Sequence, residues 1–283
     1  MAFVTRFAPS PTGYLHKGHA FSALTAYQAA VRASGRFLLR IEDIDLTRCR
    51  PEFEDAIYED LAWLGLRWET PVRRQSEHFE DYRGALQTLI DRGLAYRCFR
   101  TRREVLDAMA SAPHGDDPEQ APFVGGPLPS EREEALLAEG RPYAWRLSLA
   151  LAREALGAGW DRLWFLEEGE GEIRARPETA GDVVLARKDV GVAYHLAVVW
   201  DDAFQGVTHV IRGADLFDAT HIQRLLQALL ELPTPVYRHH PLVTGPDGRR
   251  FAKRDRSQTL RELRAVGVTA EALRAELGFE AEA

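Results

Sequence analysis

The sequence predicts an α/β protein built around a Rossmann-like parallel sheet, and three neighbouring segments carry that prediction. Residues 3–8 form a short apolar run, residues 18–34 are rich in Ala and favour a helix, and residues 36–41 form a second strand-like run. A strand, a helix and a strand in this order form a βαβ unit, whose two strands run parallel. Ligands of such sheets bind beyond the carboxyl ends of the strands. We therefore expect a site just after residues 8 and 41.

Capping and turn residues indicate the later elements. Pro51 is suited to the first turn of a helix that Gly65 ends, and Gly93 is placed to end the next helix. The expected helices and strands of the remaining chain are helices at 51–64, 77–92, 131–139, 217–230, 260–265 and 270–277, and strands at 143–149, 182–186 and 208–211.

The regular alternation weakens in the middle of the chain, which predicts an insertion. Residues 112–118 and 124–129 are rich in Pro, Gly and Asp, as loops are. We expect an α+β insertion within the sheet domain and a short helical C-terminal appendage. The predicted units are 1–95, the first half of the catalytic sheet domain; 96–176, the insertion; 177–240, the second half of the catalytic domain; and 241–283, a basic loop followed by the C-terminal helices.

The composition is that of an ordinary soluble globular protein, with 45% hydrophobic and 28% charged residues. No apolar run approaches the roughly 20 residues that a membrane helix needs, and the N-terminus lacks a secretory signal. Two cysteines imply no disulfide framework, so we expect a cytoplasmic protein, with a monomer as the default. The net charge of -7 disfavours indiscriminate nucleic-acid binding, but basic clusters at 97–103 and 249–256 leave RNA binding open.

The densest group of reactive side chains follows the first strand, where the sequence reads R-F-A-P-S-P-T-G-Y-L-H-K-G-H from Arg6 to His19. The strand would bring Arg6 and Ser10 to the ligand edge of the sheet. His16 and His19 flank Gly18 at a predicted helix N-terminus, which presents free N–H groups and a partial positive charge. This arrangement suits a nucleotide phosphate. The structural alternative is two surface histidines beside a turn.

These residues resemble the first motif of the glutamyl-tRNA synthetase group of class I aminoacyl-tRNA synthetases, which contains H-x-G-H. A second match, L-R-I-E-D-I-D-L-T-R at 39–48, is close to that group's L-R-I-E-D-T-D-x-x-R. The resemblance places Glu42 near the amino group of bound glutamate. A buried carboxylate is costly unless paired, so we expect Glu42 to face a cation. Asp43 and Asp45 have a structural interpretation, as helix caps or as partners of Arg40 or Arg48.

Two further matches lie at 189–202 and 208–216, similar to the group's Y-x-x-A-x-x-x-D-D and H-V-x-R-G-x-D-L. The resemblance implies that Arg6 and Arg212 bind the side-chain carboxylate of glutamate, and that Tyr194 bonds to the amino acid. Arginine suits this role because its planar fork matches a carboxylate and leaves an amide unsatisfied. The residues predicted to bind glutamate are Arg6, Phe7, Ala8, Pro9, Ser10, Glu42, Tyr194 and Arg212.

A fifth match, R-F-A-K-R at 250–254, stands in the position of the class's K-M-S-K-S loop. A mobile cationic loop there stabilises departing pyrophosphate. Arg250, Ala252 and Arg254 depart from the pattern but Lys253 keeps its place, so we expect activity with altered kinetics. The resemblance implies that ATP enters with Mg²⁺. The residues predicted to act in catalysis are His16, His19 and Lys253, and those predicted to bind ATP are His16, Gly18, His19 and Lys253.

Only 30 residues follow Lys253, whereas a full glutamyl-tRNA synthetase continues into a helical anticodon-binding region. Such a chain resembles the glutamyl-queuosine tRNA(Asp) synthetases. That resemblance implies that L-glutamate is activated with ATP in the absence of tRNA and is then transferred to queuosine in the anticodon stem-loop of tRNA(Asp). It also implies that the insertion resembles an acceptor-binding subdomain. The alternatives are a truncated glutamyl-tRNA synthetase charging tRNA(Glu), a non-catalytic RNA-binding or regulatory paralogue, and an H-x-G-H nucleotidyltransferase that uses no RNA.

One departure from these relatives concerns zinc. Their zinc sites often begin with C-x-C, but the matching place here reads C-F-R and retains only Cys98. A single thiolate is a poor start for a tetrahedral zinc site, and His114 with Asp116 and Asp117 offers weak replacements. We therefore predict no structural zinc and expect Cys98, like Cys49, to be an inert residue; for Cys98 we expect a small buried apolar role.

Overall fold

Strands from distant parts of the chain form the centre of the molecule. The computed structural model describes residues 2–101, 103–105, 122–187, 191–243 and 258–279. The strands in these residues are β1 (Val4–Phe7), β2 (Arg36–Ile41), β3 (Arg73–Arg74), β4 (Ala95–Cys98), β5 (Ala144–Leu147), β6 (Trp164–Glu167), β7 (Gly171–Arg174), β8 (Val184–Arg187), β9 (His209–Gly213) and β10 (Val236–His240).

Helices cover both faces of these strands. The α-helices in the described residues are α1 (Lys17–Arg32), α2 (Pro51–Trp63), α3 (Phe79–Asp91), α4 (Ser130–Ala138), α5 (Leu149–Leu156), α6 (Tyr194–Phe204), α7 (Phe217–Leu229), α8 (Leu260–Ala265) and α9 (Ala270–Glu276). Every helix that the sequence predicts is present, with ends that differ by no more than the usual fraying of a terminal turn.

The predicted parallel sheet is confirmed. Strand β2 pairs in parallel with β1 and β3, and β10 pairs in parallel with β9 and β6, while β7 is antiparallel to β6. The two sets of strands meet where β1 lies beside β9: Thr208 donates its N–H to the Val4 carbonyl at 2.9 Å, and Val4 donates to Thr208 Oγ1 at 2.8 Å. The carboxyl ends of β1, β2, β9 and β10 therefore share one edge.

A second, antiparallel sheet contains β4, β5 and β8. The division of strands between the two sheets does not follow the predicted domain boundaries. Strands β6 and β7 lie within the predicted insertion 96–176 but extend the main sheet through β10. Strand β8 lies within the predicted unit 177–240 but pairs with β5 of the insertion. Short strands do not reveal their partners in sequence, because pairing is decided by tertiary packing.

Helix α6 was not predicted from the sequence, for a physical reason. Most of its residues are buried, including Leu196, Val199, Asp201 and Asp202. A helix that is enclosed on most sides lacks the polar face that gives a helical period to the sequence. The same helix carries Tyr194 at its start, so it delivers a predicted site residue to the sheet edge.

The C-terminal helices return the chain to the start of α1. Leu260 donates its N–H to the Leu15 carbonyl at 2.8 Å, and Thr259 forms a β-bridge with His16. Leu263 and Leu273 are buried in the hydrophobic cluster that also contains Leu61 of α2. The segment before them, which contains Lys253, lies outside the described residues, but its described flank at residues 258–259 adjoins the first residues of α1.

Candidate active site at the carboxyl edge of the sheet

A cavity of about 600 Å³ opens at the carboxyl edge of β1, β2, β9 and β10. Every predicted site residue within the described chain lines it, whereas Lys253 lies outside that part. The lining residues that the sequence predicted are Arg6, Phe7, Ala8, Pro9, Ser10, His16, Gly18, His19, Glu42, Tyr194 and Arg212. The further lining residues are Thr12, Ser22, Arg48, Ile211, Gly213, Asp215, Leu216, His240, Leu242 and Val243.

The two histidines of H-x-G-H form a capping box at the start of α1. His16 Nδ1 accepts a hydrogen bond from the Gly18 N–H at 3.1 Å, and His19 Nδ1 accepts from the His16 N–H at 3.2 Å. The two rings lie 3.8 Å apart. Because each Nδ1 accepts a hydrogen bond, each neutral ring carries its proton on Nε2. The capping bonds thus fix the tautomer of each ring, with the Nε2–H donor on the side of the ring away from the backbone.

The side of the cavity formed by β1, β2 and α6 contains a buried ionic network. Arg6 binds Asp202 through Nε at 2.9 Å and Nη2 at 3.3 Å, and Arg40 binds the same carboxylate through Nη1 at 2.8 Å. Arg40 Nη2 also donates to Glu42 at 3.1 Å, which confirms the expected cationic partner of Glu42. Burial would raise the pKa of Asp202, but the Arg6 and Arg40 guanidinium groups outweigh it and hold the pKa below its usual value.

Glu42 is the least compensated member of this network. Burial raises the pKa of Glu42 above its ordinary value, and the Arg40 and Arg6 guanidinium groups oppose that change only in part. A carboxylate whose charged form is disfavoured in this way would be stabilised by a further cation. Since Glu42 lines the cavity, a ligand with a positive group beside Glu42 would supply that cation.

Asp201 faces the core rather than the cavity, although it adjoins Asp202 in sequence. It accepts hydrogen bonds from Arg73 Nε at 2.7 Å, Gln75 Nε2 at 2.8 Å and the Tyr82 hydroxyl at 2.9 Å. Adjacent residues on α6 therefore have separate tasks, because a helix turns successive side chains in different directions. Asp201 anchors α6 to β3 and α3, and Asp202 supports the cavity wall.

The part of the cavity formed by β9 and β10 holds Arg212, which donates hydrogen bonds to neutral acceptors. Arg212 Nε donates to His239 Nε2 at 3.1 Å, and Arg212 Nη2 donates to the Thr220 hydroxyl at 2.7 Å. His239 in turn contacts Glu167, with Nδ1 2.8 Å from one carboxylate oxygen and the backbone N–H 2.7 Å from the other. These supporting residues were not predicted from the sequence. They lie outside the recognised motifs, and their roles depend on strand pairing.

A second cavity of about 410 Å³ adjoins the first on the side of Tyr194 and Glu42. Its further lining includes Asp45, which bonds Arg48 Nε at 2.6 Å, as one structural interpretation of Asp45 predicted. Hydrogen bonds from Thr47 and Arg48 lower the pKa of Asp45 to about 2. Asp43 accepts from the Ser76 N–H at 2.8 Å, so it caps the short 3₁₀ turn there.

Cys98 and Cys49 differ in their surroundings. Cys98 is buried on β4 beside Tyr96 and Phe123, as a small apolar residue would be, which agrees with its predicted role. Cys49 is half-buried in the lining of the second cavity, and burial raises the pKa of its thiol. No group of three or more metal-ligating side chains occurs within the described residues. His114, Asp116 and Asp117 lie outside them, so the absence of zinc stays a prediction.

Among the helices that the structure describes, none is long and apolar enough to cross a membrane.

Comparison with known proteins identifies the family to which this site belongs. Residues 2–279 match the family described as tRNA synthetases class I (E and Q), catalytic domain. The chain is 48% identical to a glutamyl-Q tRNA(Asp) synthetase of Rhodobacter capsulatus, over 98% of this chain and 100% of that protein. It is 41% identical to a glutamyl-Q tRNA(Asp) synthetase of Symbiobacterium thermophilum, over 97% of this chain and 85% of that protein.

The fold agrees with these relatives. A glutamate tRNA ligase from Elizabethkingia meningosepticum, solved in complex with its amino acid, superposes with a TM-score of 0.78 at 27% identity. The match covers 98% of this chain but 60% of that ligase, so the chain spans little more than half of that structure's length. On the evidence of its motifs, its sheet and its matched length, the chain belongs to the catalytic-domain family of the class I tRNA synthetases for glutamate and glutamine.

Proposed function

We propose that the protein activates L-glutamate with ATP to form glutamyl-adenylate without tRNA, and then transfers glutamate to queuosine in the anticodon of tRNA(Asp). The observation that carries the amino-acid part is the distribution of charge around the larger cavity. Arg6 and Arg212, on the neighbouring strands β1 and β9, both line the cavity, and Glu42 lies on the Arg6 side, at the end of β2. One carboxylate between two guanidinium groups, with an ammonium group beside Glu42, is the charge pattern of an amino acid with an acidic side chain.

The start of α1 supports binding of ATP to the same cavity. The N-terminus of α1 provides backbone N–H groups and a partial positive charge, and the capping box directs an Nε2–H donor from each of His16 and His19. Lys253 would add a charge from the segment that begins after Val243. Mg²⁺ would enter with the ATP phosphates, as it commonly does in phosphoryl-transfer sites.

In the proposed reaction, the α-carboxylate of glutamate attacks the α-phosphorus of ATP in line with the departing pyrophosphate. An acceptor hydroxyl then attacks the glutamyl carbonyl, and AMP leaves. Positioning and electrostatic stabilisation supply the acceleration, and no covalent bond to the protein is formed. The second cavity borders Glu42 and Tyr194, so it provides space next to the glutamate position from which an acceptor could approach.

The choice of acceptor is supported by sequence similarity. The relatives from Rhodobacter capsulatus and Symbiobacterium thermophilum are named glutamyl-Q tRNA(Asp) synthetases, and the alignment with the first spans that whole protein. The decisive experiment supplies labelled glutamate and ATP to tRNA(Asp) with queuosine, tRNA(Asp) without queuosine, and tRNA(Glu). We expect label on the queuosine-bearing tRNA(Asp) alone.

Other outcomes separate the alternatives. Label on tRNA(Glu) would instead establish a truncated glutamyl-tRNA synthetase. If no tRNA were labelled but glutamate-dependent ATP–pyrophosphate exchange persisted, the RNA acceptor would be wrong and the activation step right. Loss of both activities would favour a non-catalytic paralogue.

The glutamate assignment is tested by Arg212→Ala. Removing a buried hydrogen-bonded charge that pairs with a ligand should lower kcat/KM for glutamate in ATP–pyrophosphate exchange on the order of 10³-fold. ATP binding, measured by calorimetry, should change little. Arg174→Ala is the matched control, because Arg174 forms an exposed ion pair with Asp161 away from the cavity. Ordinary exchange by Arg212→Ala at ordinary glutamate concentrations would contradict the assignment.

A further inference from the structure

Three neighbouring parallel strands place Glu167, His239 and Arg212 in one row across the sheet. In the register of β9 and β10, His239 lies directly opposite Arg212. In the register of β10 and β6, Glu167 lies opposite Tyr237, two residues before His239, and the carboxylate reaches His239 at its backbone N–H and its Nδ1. The row runs from β6 through β10 to β9 and ends at Arg212 in the cavity lining.

We propose that Glu167 and His239 are positioning residues that hold the Arg212 guanidinium in the orientation by which the site distinguishes a carboxylate side chain from an amide. This inference rests on the proposed function, in which Arg212 binds the side-chain carboxylate of glutamate.

The hydrogen-bond pattern determines the proton position on His239. Glu167 uses both carboxylate oxygens as acceptors, one from the backbone N–H and one from Nδ1, so Nδ1 must carry the proton. On the other side of the ring, Nε2 faces Arg212 Nε, which can only donate, at 3.1 Å. The ring is therefore neutral with a bare Nε2, which is the tautomer opposite to that of His16 and His19.

The surroundings of His239 keep this arrangement in a dry environment. The side chains of His239 and Glu167 are 4% and 5% exposed. Tyr237 stacks parallel to the ring with centroids 6.0 Å apart, and Phe217 meets it edge-on at 5.1 Å. Burial and the nearby Arg212 charge both lower the pKa of His239, which favours the neutral ring. In such a site each hydrogen bond is stronger and a wrong proton position is more costly than in water.

The bonds that Arg212 makes determine which edge it offers to a ligand. Nε is used by His239 and one N–H of Nη2 by Thr220, whereas Nη1 makes no hydrogen bond to any described residue. The end of the guanidinium formed by Nη1 and Nη2 is thus left for a bidentate partner. Because all these N–H groups are donors, a carboxylate satisfies both, while an amide would bring its own NH₂ against one of them.

Substitutions at the two positions separate orientation from mere packing. Glu167→Gln retains the shape, but an amide cannot accept at both positions, so one contact becomes donor against donor. His239→Asn retains a polar group at the Nδ1 position and removes the acceptor for Arg212. His239→Gln places an acceptor oxygen near the former Nε2 position. His209→Gln, on the same strand as Arg212 but outside the cavity lining, is the matched control.

The measurement is ATP–pyrophosphate exchange with glutamate and ATP varied separately, and with glutamine as the competing amino acid. We expect Glu167→Gln and His239→Asn to raise the KM for glutamate about 10- to 100-fold, to leave the KM for ATP within about twofold, and to weaken discrimination against glutamine. His239→Gln should recover most of the loss relative to His239→Asn, and His209→Gln should behave as the wild type. Unchanged glutamate KM in Glu167→Gln, or equal losses in both His239 variants, would overturn the proposal, as would a parallel rise in the KM for ATP.

A second measurement determines the tautomer of His239 in the wild-type protein. Nitrogen-15 NMR of histidine-labelled protein distinguishes the two neutral tautomers of a ring, and the His239 signals are assigned as those lost in His239→Gln. We expect a proton on Nδ1 and none on Nε2, and a proton on Nε2 would overturn the positioning role. If the wild-type protein lacked glutamate-dependent exchange, the proposed function would fail, whereas this tautomer measurement would still report on the row itself.

Discussion

Arg6 and Arg212 line the same cavity, yet the fold holds them in contrasting ways. Arg6 is bound directly by a carboxylate, Asp202, through two hydrogen bonds of 2.9 and 3.3 Å. Arg212 is bound by the neutral acceptors His239 and Thr220. The carboxylate of Glu167 supports Arg212 only indirectly, through the imidazole ring of His239. Both arginines are almost completely buried as residues.

The difference shows how two arginines of one cavity are suited to different tasks. The charge of Arg6 is already compensated by Asp202. This ion pair links β1 to α6 and holds the Arg6 side chain in a fixed position in the cavity wall. Among the described residues no carboxylate contacts Arg212 directly, so a ligand carboxylate would be the first to do so. Removing one partner of a buried ion pair such as Arg6 and Asp202 leaves the other charge uncompensated and strongly lowers the free energy of unfolding. Removing one neutral acceptor of Arg212 should change the affinity for glutamate by a smaller amount.

The largest expected effect comes from breaking the ionic side with Asp202→Asn. The amide presents NH₂ to guanidinium groups that can only donate, which leaves Arg6 and Arg40 incompletely compensated in the core. We expect the free energy of unfolding in urea to fall by about 3–5 kcal/mol. Asp161→Asn is the control, because Asp161 pairs with Arg174 at the surface, and exposed pairs contribute about 0–1 kcal/mol. Equal effects of the two substitutions would contradict the structural role of Asp202.

A smaller effect should follow from changing the neutral side with Thr220→Val, which replaces the hydroxyl of a buried residue with a methyl group. Arg212 Nη2 loses its 2.7 Å hydrogen bond, and a bond to a charged donor contributes about 1.5 kcal/mol, or about tenfold in the KM for glutamate. Thr25→Val removes a comparable hydroxyl from α1, where it donates to the Phe21 carbonyl at 2.7 Å. That control should alter stability alone. An unchanged glutamate KM in Thr220→Val would show that Thr220 does not orient Arg212.

The smallest expected effect is a difference in pH dependence between the two sides. The folded-state pKa of His239 is lowered, chiefly by burial, so its contribution to stability is complete above about pH 6.5 and is lost as the pH falls. The lowered pKa of Asp202 gives a contribution that persists until the pH falls below about 3.8. Other buried histidines titrate as well, so the variants must be compared with the wild type.

Between pH 7.5 and 4.5 we therefore expect the difference in unfolding free energy between the wild type and His239→Gln to shrink as the pH falls. Over the same range the difference between the wild type and Asp202→Asn should stay constant. Parallel curves for the two variants would show that the sides of the cavity do not differ in this respect. Urea titrations at four or five pH values are sufficient for the comparison.

Sequence motifs located most of the cavity because its lining comes from short contiguous segments. Residues 6–19 supply one wall and the start of α1, and the geometry of a βαβ unit requires them to lie at the ligand edge. The capping box follows from local spacing, since His16 and His19 are three residues apart in a helix start. Such features depend on neighbours in the chain.

The residues that support the cavity could not be predicted in the same way. Arg6 and Asp202 are separated by 196 positions, and His239 and Glu167 by 72. A glutamate at the end of a short strand has no sequence pattern that distinguishes it from a surface residue. The assignment of β6 to the main sheet, which the predicted insertion 96–176 obscured, brings Glu167 beside His239.

The sequence by itself determined the parallel-sheet class, the order of most elements, and the residues of the motif segments that line the cavity, because periodicity, capping and turn chemistry act over a few residues. Only the tertiary structure decided which carboxylate compensates which arginine, which strands share a sheet, and how the Arg212 guanidinium is oriented. Those features depend on groups that meet through strand register and burial, and the free energy of a buried charge is set by partners that lie far apart along the chain.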